Sequence, residues 1–222
     1  TNLVSTTGVI ASDISGIGTA RDNPGACEYG GDKGIFGYGN SGGGVSMTNL
    51  VSNTGVVGSD VAGVGTARQV PAACSYGGDK GIFGYGYPTT AITNLVSNTG
   101  VVGTDVSGVG TARLYLAACE YGEDKGIFGY GNVTLSMTNL VSNAGVVGTD
   151  VTGVGTGRNS LAACSYGGDK GIFGYGTTGS SVSLTNLVSN AGVVATDTTG
   201  VGTAREGIMA CEYGANQGIF GF

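Results

Sequence analysis

The chain has 222 residues with a net charge of −6, no His and no Trp, and its nine basic residues never cluster. That excludes the basic footprint of a nucleic-acid binder and a basic amphipathic face for anionic membrane. No apolar run reaches the ~20 residues of a spanning helix. No basic leader region precedes Thr1-Asn2-Leu3-Val4, though a processed secreted chain would look the same.

The 47 glycines recur at fixed places, so they punctuate structure rather than signal disorder. Thr-Asn-Leu-Val-Ser begins at Thr1, Thr48, Thr93, Thr138 and Thr185, in steps of 47, 45, 45 and 47 residues. Five nearly identical units therefore make up the chain, through recent duplication or engineering.

Within a unit the pattern predicts four strands in chain order, shown here for the fourth copy. Met137–Ser142 forms the first, ended by a turn at Asn143-Ala144-Gly145. Val146 to about Val154 forms the second, with Val, Thr and Gly interleaved. Leu161–Tyr166 and Gly171–Tyr175 form the third and fourth, joined by the hairpin signal Gly167-Gly168-Asp169-Lys170. Strong helix formers are nearly absent, which excludes a helical repeat.

Four short antiparallel strands per unit match the blade of a β-propeller. The expected fold is all-β: a single five-bladed β-propeller over residues 1–222, built of four-stranded antiparallel blades. Thr1–Ser5 and Gly218–Phe222 are expected to share one blade and close the ring, removing sheet edges. A parallel β-solenoid is the alternative. Small residues should line the axis, as in Ala72-Ala73-Cys74, Ala117-Ala118-Cys119 and Ala162-Ala163-Cys164, with Gly25-Ala26-Cys27 and Met209-Ala210-Cys211 as end copies.

In each full copy a basic residue precedes a small-residue strand, and an aromatic strand then runs into split glycines. In the third copy these are Arg113, Ala117-Ala118-Cys119 and Ile127-Phe128-Gly129-Tyr130-Gly131. The order resembles the kelch propeller repeat, although the adjacent Gly pair is split by Tyr and the Trp is missing. The resemblance implies a domain that binds protein partners.

Arg21, Arg68, Arg113, Arg158 and Arg205 occupy one repeat position, each with an Asp eight residues earlier (Asp13, Asp60, Asp105, Asp150, Asp197). A planar guanidinium suits ion pairs that clip units together; five such forks around a channel mouth could instead bind an anion. Cys27, Cys74, Cys119, Cys164 and Cys211 form a second set. Five equivalent cysteines cannot all pair, so buried free thiols are expected, with a reducing compartment favoured; a thiolate ring for a soft metal is the sharper alternative. The residue after each Cys alternates as Glu28, Ser75, Glu120, Ser165, Glu212; three carboxylates near a channel could bind a cation or be solvated strand ends. Asn132-Val133-Thr134 is a lone glycosylation sequon.

Without His there is no His-based triad, and equal copies offer no asymmetric carboxylate pair. No enzyme, no cofactor and a monomer are the expectation. The copies differ in two clusters: the three residues after each Arg, and the inserts Asn40–Ser46, Tyr87–Ala91, Asn132–Ser136 and Thr177–Ser183. Both are expected at one end of the disc, where loops on a rigid frame host recognition. The function expected is therefore a non-catalytic binding or scaffolding module. It would take a glycan, peptide or protein at Tyr87, Tyr115 and the five Arg. A purely structural repeat protein and an axial metal or anion binder are the alternatives.

Overall fold

The computed structural model describes every residue except Val133 and Phe222. The middle residue of the sequon and the last residue of the expected closing strand thus lie outside the described residues.

Among the described residues fourteen strands form five separate antiparallel sheets. The first sheet holds β1 (Gly25–Tyr29), β2 (Lys33–Gly37) and β3 (Thr48–Val51); the second holds β4 (Ala72–Tyr76), β5 (Lys80–Gly84) and β6 (Thr93–Val96). The third holds β7 (Ala117–Tyr121), β8 (Lys125–Gly129) and β9 (Thr138–Val141), and the fourth holds β10 (Ala162–Tyr166), β11 (Lys170–Gly174) and β12 (Thr185–Val188). The fifth has only β13 (Met209–Tyr213) and β14 (Gln217–Gly221).

This corrects the expected five-bladed, four-stranded closed propeller in two respects. The Val/Thr/Gly segment of each unit is not a strand. It touches its neighbour through isolated bridges, such as Val141–Val147 and Thr138–Val151. Its glycines break the ladder, because Gly loses backbone freedom and offers no side chain to pack. The terminal segments also share no sheet. Among the described residues Val4 bridges only Ile10 within the N-terminal segment, and β14 pairs only with β13.

The hairpins are the regular part. Lys-Gly-Ile-Phe-Gly pairs with the small-residue strand in one constant register, as in Cys119 opposite Ile127 and Ala118 opposite Phe128. Its other edge takes Thr-Asn-Leu-Val, with Ile127 opposite Leu140 and Gly129 opposite Thr138. The turn works because Gly122 and its counterparts adopt positive φ, which glycine does without steric cost. The turns also link sheets: the Gly77 N–H donates to the Asp124 carbonyl at 2.7 Å, and Gly122 to Asp169 likewise.

Neighbouring sheets interlock through the glycines of the central strand. Phe83 lies on Gly37, Phe128 on Gly84, Phe173 on Gly129 and Phe220 on Gly174. In the opposite sense, the Cys27 sulfur lies on Gly81, Cys74 on Gly126, Cys119 on Gly171 and Cys164 on Gly218. Each Phe also meets the Tyr after its Gly, with the Tyr130 and Phe173 rings 5.2 Å apart at 62°, a favourable edge-to-face arrangement. A Cβ at residue 129 would stand 2.5 Å from the Phe173 ring. Gly129→Ala is therefore expected to destabilise the protein by about 1–3 kcal/mol through overpacking. Gly43→Ala, where a Cβ meets nothing within 4 Å, should leave the urea midpoint in place.

Candidate functional site

The five small-residue strands converge. β1, β4, β7, β10 and β13 touch in sequence and together line a cavity of about 260 Å³. Cys27, Cys74, Cys119, Cys164 and Cys211 lie on its wall with Glu28, Ser75, Glu120, Ser165 and Glu212.

All five cysteines are free; Cys74, Cys119 and Cys164 are buried, Cys27 is half-buried and Cys211 is exposed. The end copies differ because Cys211 has no following sheet to cover it. Burial pushes the Cys164 thiol up to about 11 and raises those of Cys74 and Cys119 as well. Such thiols resist becoming the thiolates that ligate soft metals. Among the described residues no group of three or more His, Cys, Asp or Glu is arranged to hold a metal ion. Each of the first four sulfurs is packed on a glycine of the next sheet.

The carboxylates behave differently. Burial, then the negative charges of Glu28 and Glu212, push Glu120 up from 4.5 to about 7. A carboxyl whose folded value lies above its unfolded value binds its proton more tightly in the folded protein. Stability from this group is thus greatest at low pH and is lost as pH rises from 4.5 through 7. Glu120→Gln should flatten that part of the thermal midpoint against pH, and raise the midpoint at pH 8 relative to the parent.

The arginines turn inward. Arg68, Arg113 and Arg158 are fully buried. Arg158 donates from Nε to the Tyr175 carbonyl at 2.8 Å and from Nη2 to Asn186 Oδ1 at 2.7 Å. Its Nη1 lies 3.9 Å from Asp197, and its guanidinium stacks on Tyr130 of the preceding sheet, 4.3 Å from the ring centroid. Arg113 bonds Asn139 and the Tyr130 and Met137 carbonyls in the same way. Arg21 bonds Asn49 at 2.6 Å and approaches Asp60 at 3.8 Å.

The clip between units is therefore real, but the partner Asp is the one in the following unit, not the one eight residues before. That Asp also accepts from the linker Thr. The Thr111 N–H and hydroxyl both donate to Asp150, and Asn139 Nδ2 donates at 3.0 Å. Burial opposes ionisation of Asp150, but these bonds outweigh it and hold its carboxyl below the usual range. Of the five arginines expected to meet a ligand, Arg68, Arg113 and Arg158 have no surface to offer, while Arg21 and Arg205 are half-buried.

What remains exposed at that end are the variable residues. Tyr87 is 54% and Tyr115 46% exposed. The two variable clusters do come together: Gln69 and Tyr87 exchange both backbone bonds at 2.8 Å, and Asp22 bridges Asn40 as Asn159 bridges Thr177. Inserts also reach the next unit, with Val45 bridging Arg68 and Thr90 bridging Arg113.

The loops leading into the first strands are tied in two groups, the first to the second and the third through the fifth. The Val70 N–H donates to Asn23, Ser160 to Tyr115 and Gly207 to Ser160. Asn23, Val70, Tyr115 and Ser160 all have φ between 48° and 55°, uncommon for non-Gly residues and an outlier for β-branched Val. Strain of this kind costs about 1–3 kcal/mol per residue and persists only where surroundings hold it. The sequence showed these positions as variable; their left-handed backbone and mutual bonds had no signal in it.

No family model matches the chain, and no curated protein is recognisably similar to it. The likeness to the kelch repeat rests on the order of Arg, small strand and aromatic-Gly strand alone.

The thiols are checked by timed titration of the native protein. Cys211 should react fast and Cys74, Cys119 and Cys164 slowly, all five reacting at once in denaturant.

Proposed function

We propose that the protein is a non-catalytic recognition module whose ligand sits on the variable-loop end, against Tyr87 and Tyr115. One observation carries this reading: the residues that differ most between copies lie in loops bonded to neighbouring loops, on a frame otherwise nearly identical from unit to unit. A rigid, varied and aromatic-bearing surface suits binding, and large amphipathic rings are the usual anchors of an interface. Tyr rings with adjacent Gln69, Asn40 and Asn159 offer both stacking faces and amide groups, a chemistry that suits a glycan or a polar peptide.

The opposite end carries the near-constant Gly-Asp-Lys turns. There Lys125 pairs with Asp124 at 2.6 Å, and Asp124 accepts from Asn143 at 3.0 Å. These bonds hold hairpins together and leave that end uniform.

Screening the 222-residue protein on glycan and peptide arrays tests the reading. For any hit, Tyr115→Ala and Tyr87→Ala should each weaken binding by about 1–2 kcal/mol with no change in fold stability, while Lys125→Ala should leave binding alone. The reverse pattern would place recognition at the other end.

A further inference from the structure

The linker of every unit carries Gly-Thr with an Arg two residues beyond the Thr, as in Gly155-Thr156-Gly157-Arg158 and Gly202-Thr203-Ala204-Arg205. In the first four copies this segment holds a carboxylate. Thr19 donates its N–H and hydroxyl to Asp60 at 2.9 and 2.8 Å. Thr66, Thr111 and Thr156 do the same to Asp105, Asp150 and Asp197. The Arg lies beside that carboxylate, with Arg21 3.8 Å from Asp60 and Arg158 3.9 Å from Asp197.

The Gly makes room for it. Gly18, Gly65, Gly110 and Gly155 have φ between 79° and 87°, and a Cβ at each would run into the carboxylate of Asp60, Asp105, Asp150 or Asp197. The surroundings favour the ionised form. Burial opposes ionisation of Asp105, Asp150 and Asp197, yet the bonds from Thr and Asn outweigh it and hold all three carboxyls below their usual range. In three of the four copies an amide oxygen completes the set. Asn49 accepts from Arg21 at 2.6 Å and Asn186 from Arg158 at 2.7 Å, and Asn139 accepts from Arg113.

The fifth copy has the same parts and a different outcome. Gly202 has a φ of 96°, and a Cβ there would meet nothing within 4 Å. Thr203 is exposed and Arg205 half-buried, and among the described residues no carboxylate of the chain reaches either. Arg205 is held by its guanidinium, which stacks 5.0 Å from the Tyr175 ring centroid. The adjacent Glu206 accepts from the Ser181 hydroxyl at 3.5 Å, and Asp13 accepts from Asn2 at 2.8 Å.

We propose that Gly202–Arg205 is a binding site for the side-chain carboxylate of an acidic peptide. The Thr203 N–H and hydroxyl donate to one carboxylate oxygen. The Arg205 guanidinium stands beside the other and donates to a neighbouring amide oxygen of the same ligand. The inference does not rest on the reading of Tyr87 and Tyr115.

The chain itself shows what this segment binds. Four copies hold an aspartyl carboxylate, three of them with an amide oxygen next to it, and that pairing of groups is peptide chemistry. Hydrogen bonds to an ionised acceptor are roughly twice as strong as neutral ones. A guanidinium already placed on an aromatic face has less freedom to lose on binding. Thr203 and Arg205 also stand apart from the frame: the Arg158 guanidinium ties a linker to the sheet that follows, whereas that of Arg205 ties nothing among the described residues. Substitution at the fifth copy therefore separates binding from folding.

The test is a nuclear magnetic resonance titration of the isotope-labelled 222-residue protein with N-acetyl-aspartyl amide. The Thr203 amide signal should move and saturate in the millimolar range, while that of Thr156, which already has Asp197, stays in place. N-acetyl-asparaginyl amide should have no effect at the same concentration. Arg205→Gln should weaken the response about tenfold, and Thr203→Val should weaken it too, the signals of the other units being unchanged in both. Equal movement of Thr156 and Thr203, an equal response to inorganic phosphate or glucuronate, or no movement at Thr203 overturns the proposal. So does a response that appears only in Asp13→Asn protein, because the chain's own carboxylate would then be the ligand.

Discussion

Everything in this molecule depends on the central strand of each unit having no Cβ at two of its five positions. At Gly129 the vacancy admits the Phe173 ring, and at Gly126 it admits the Cys74 sulfur. One sheet thus sends a sulfur forward into the next and receives an aromatic ring back. Interiors packed to crystal density transmit any volume error, so the two glycines and the two side chains behave as one fitting. The fitting recurs between successive sheets and brings the five first strands to a common cavity.

The arginine clip is the polar counterpart. A buried guanidinium is tolerated only when its donors are used, and here Arg158 finds a carbonyl, an amide oxygen, an aromatic face and a nearby carboxylate. The second unit shows what happens when the arrangement slips: Arg68 Nη2 and Asn94 Oδ1 are both left without partners. The clip joins each linker to the sheet that follows. It therefore stiffens the connections from which the variable loops emerge. A surface of differing side chains on such supports can be altered residue by residue without disturbing the interlock beneath.

The axial wall serves the fold more than chemistry. Four of its thiols are packed against glycine and burial disfavours their thiolates, and burial with the charges of Glu28 and Glu212 raises the affinity of Glu120 for its proton. The tyrosine-bearing loops are a surface with side-chain variety and free area, on which the proposed recognition role rests.

The period and the hairpins were determined by sequence alone, because alternating small and apolar residues around Gly-Gly-Asp-Lys admit one register whatever the surroundings. The meeting of both variable clusters at one end was also legible, since Gln69 and Tyr87 flank the two strands of one hairpin. An ion-pair clip at the Arg set was legible, but its burial was not, because the partner carboxylate comes from the next unit, 39 residues further on for Arg21 and Arg158. Nor could local pattern reveal that Val146–Val154 forms isolated bridges: its β-branched residues favour extension, and only the outer position without a further strand lets the glycines prevail. The placement of Thr1–Val4 on the first sheet and not beside β14 was decided in tertiary structure. Leu3 meets Gly55 as Leu50 meets Gly100 and Leu95 meets Gly145, a contact between units that strand propensity could not reveal.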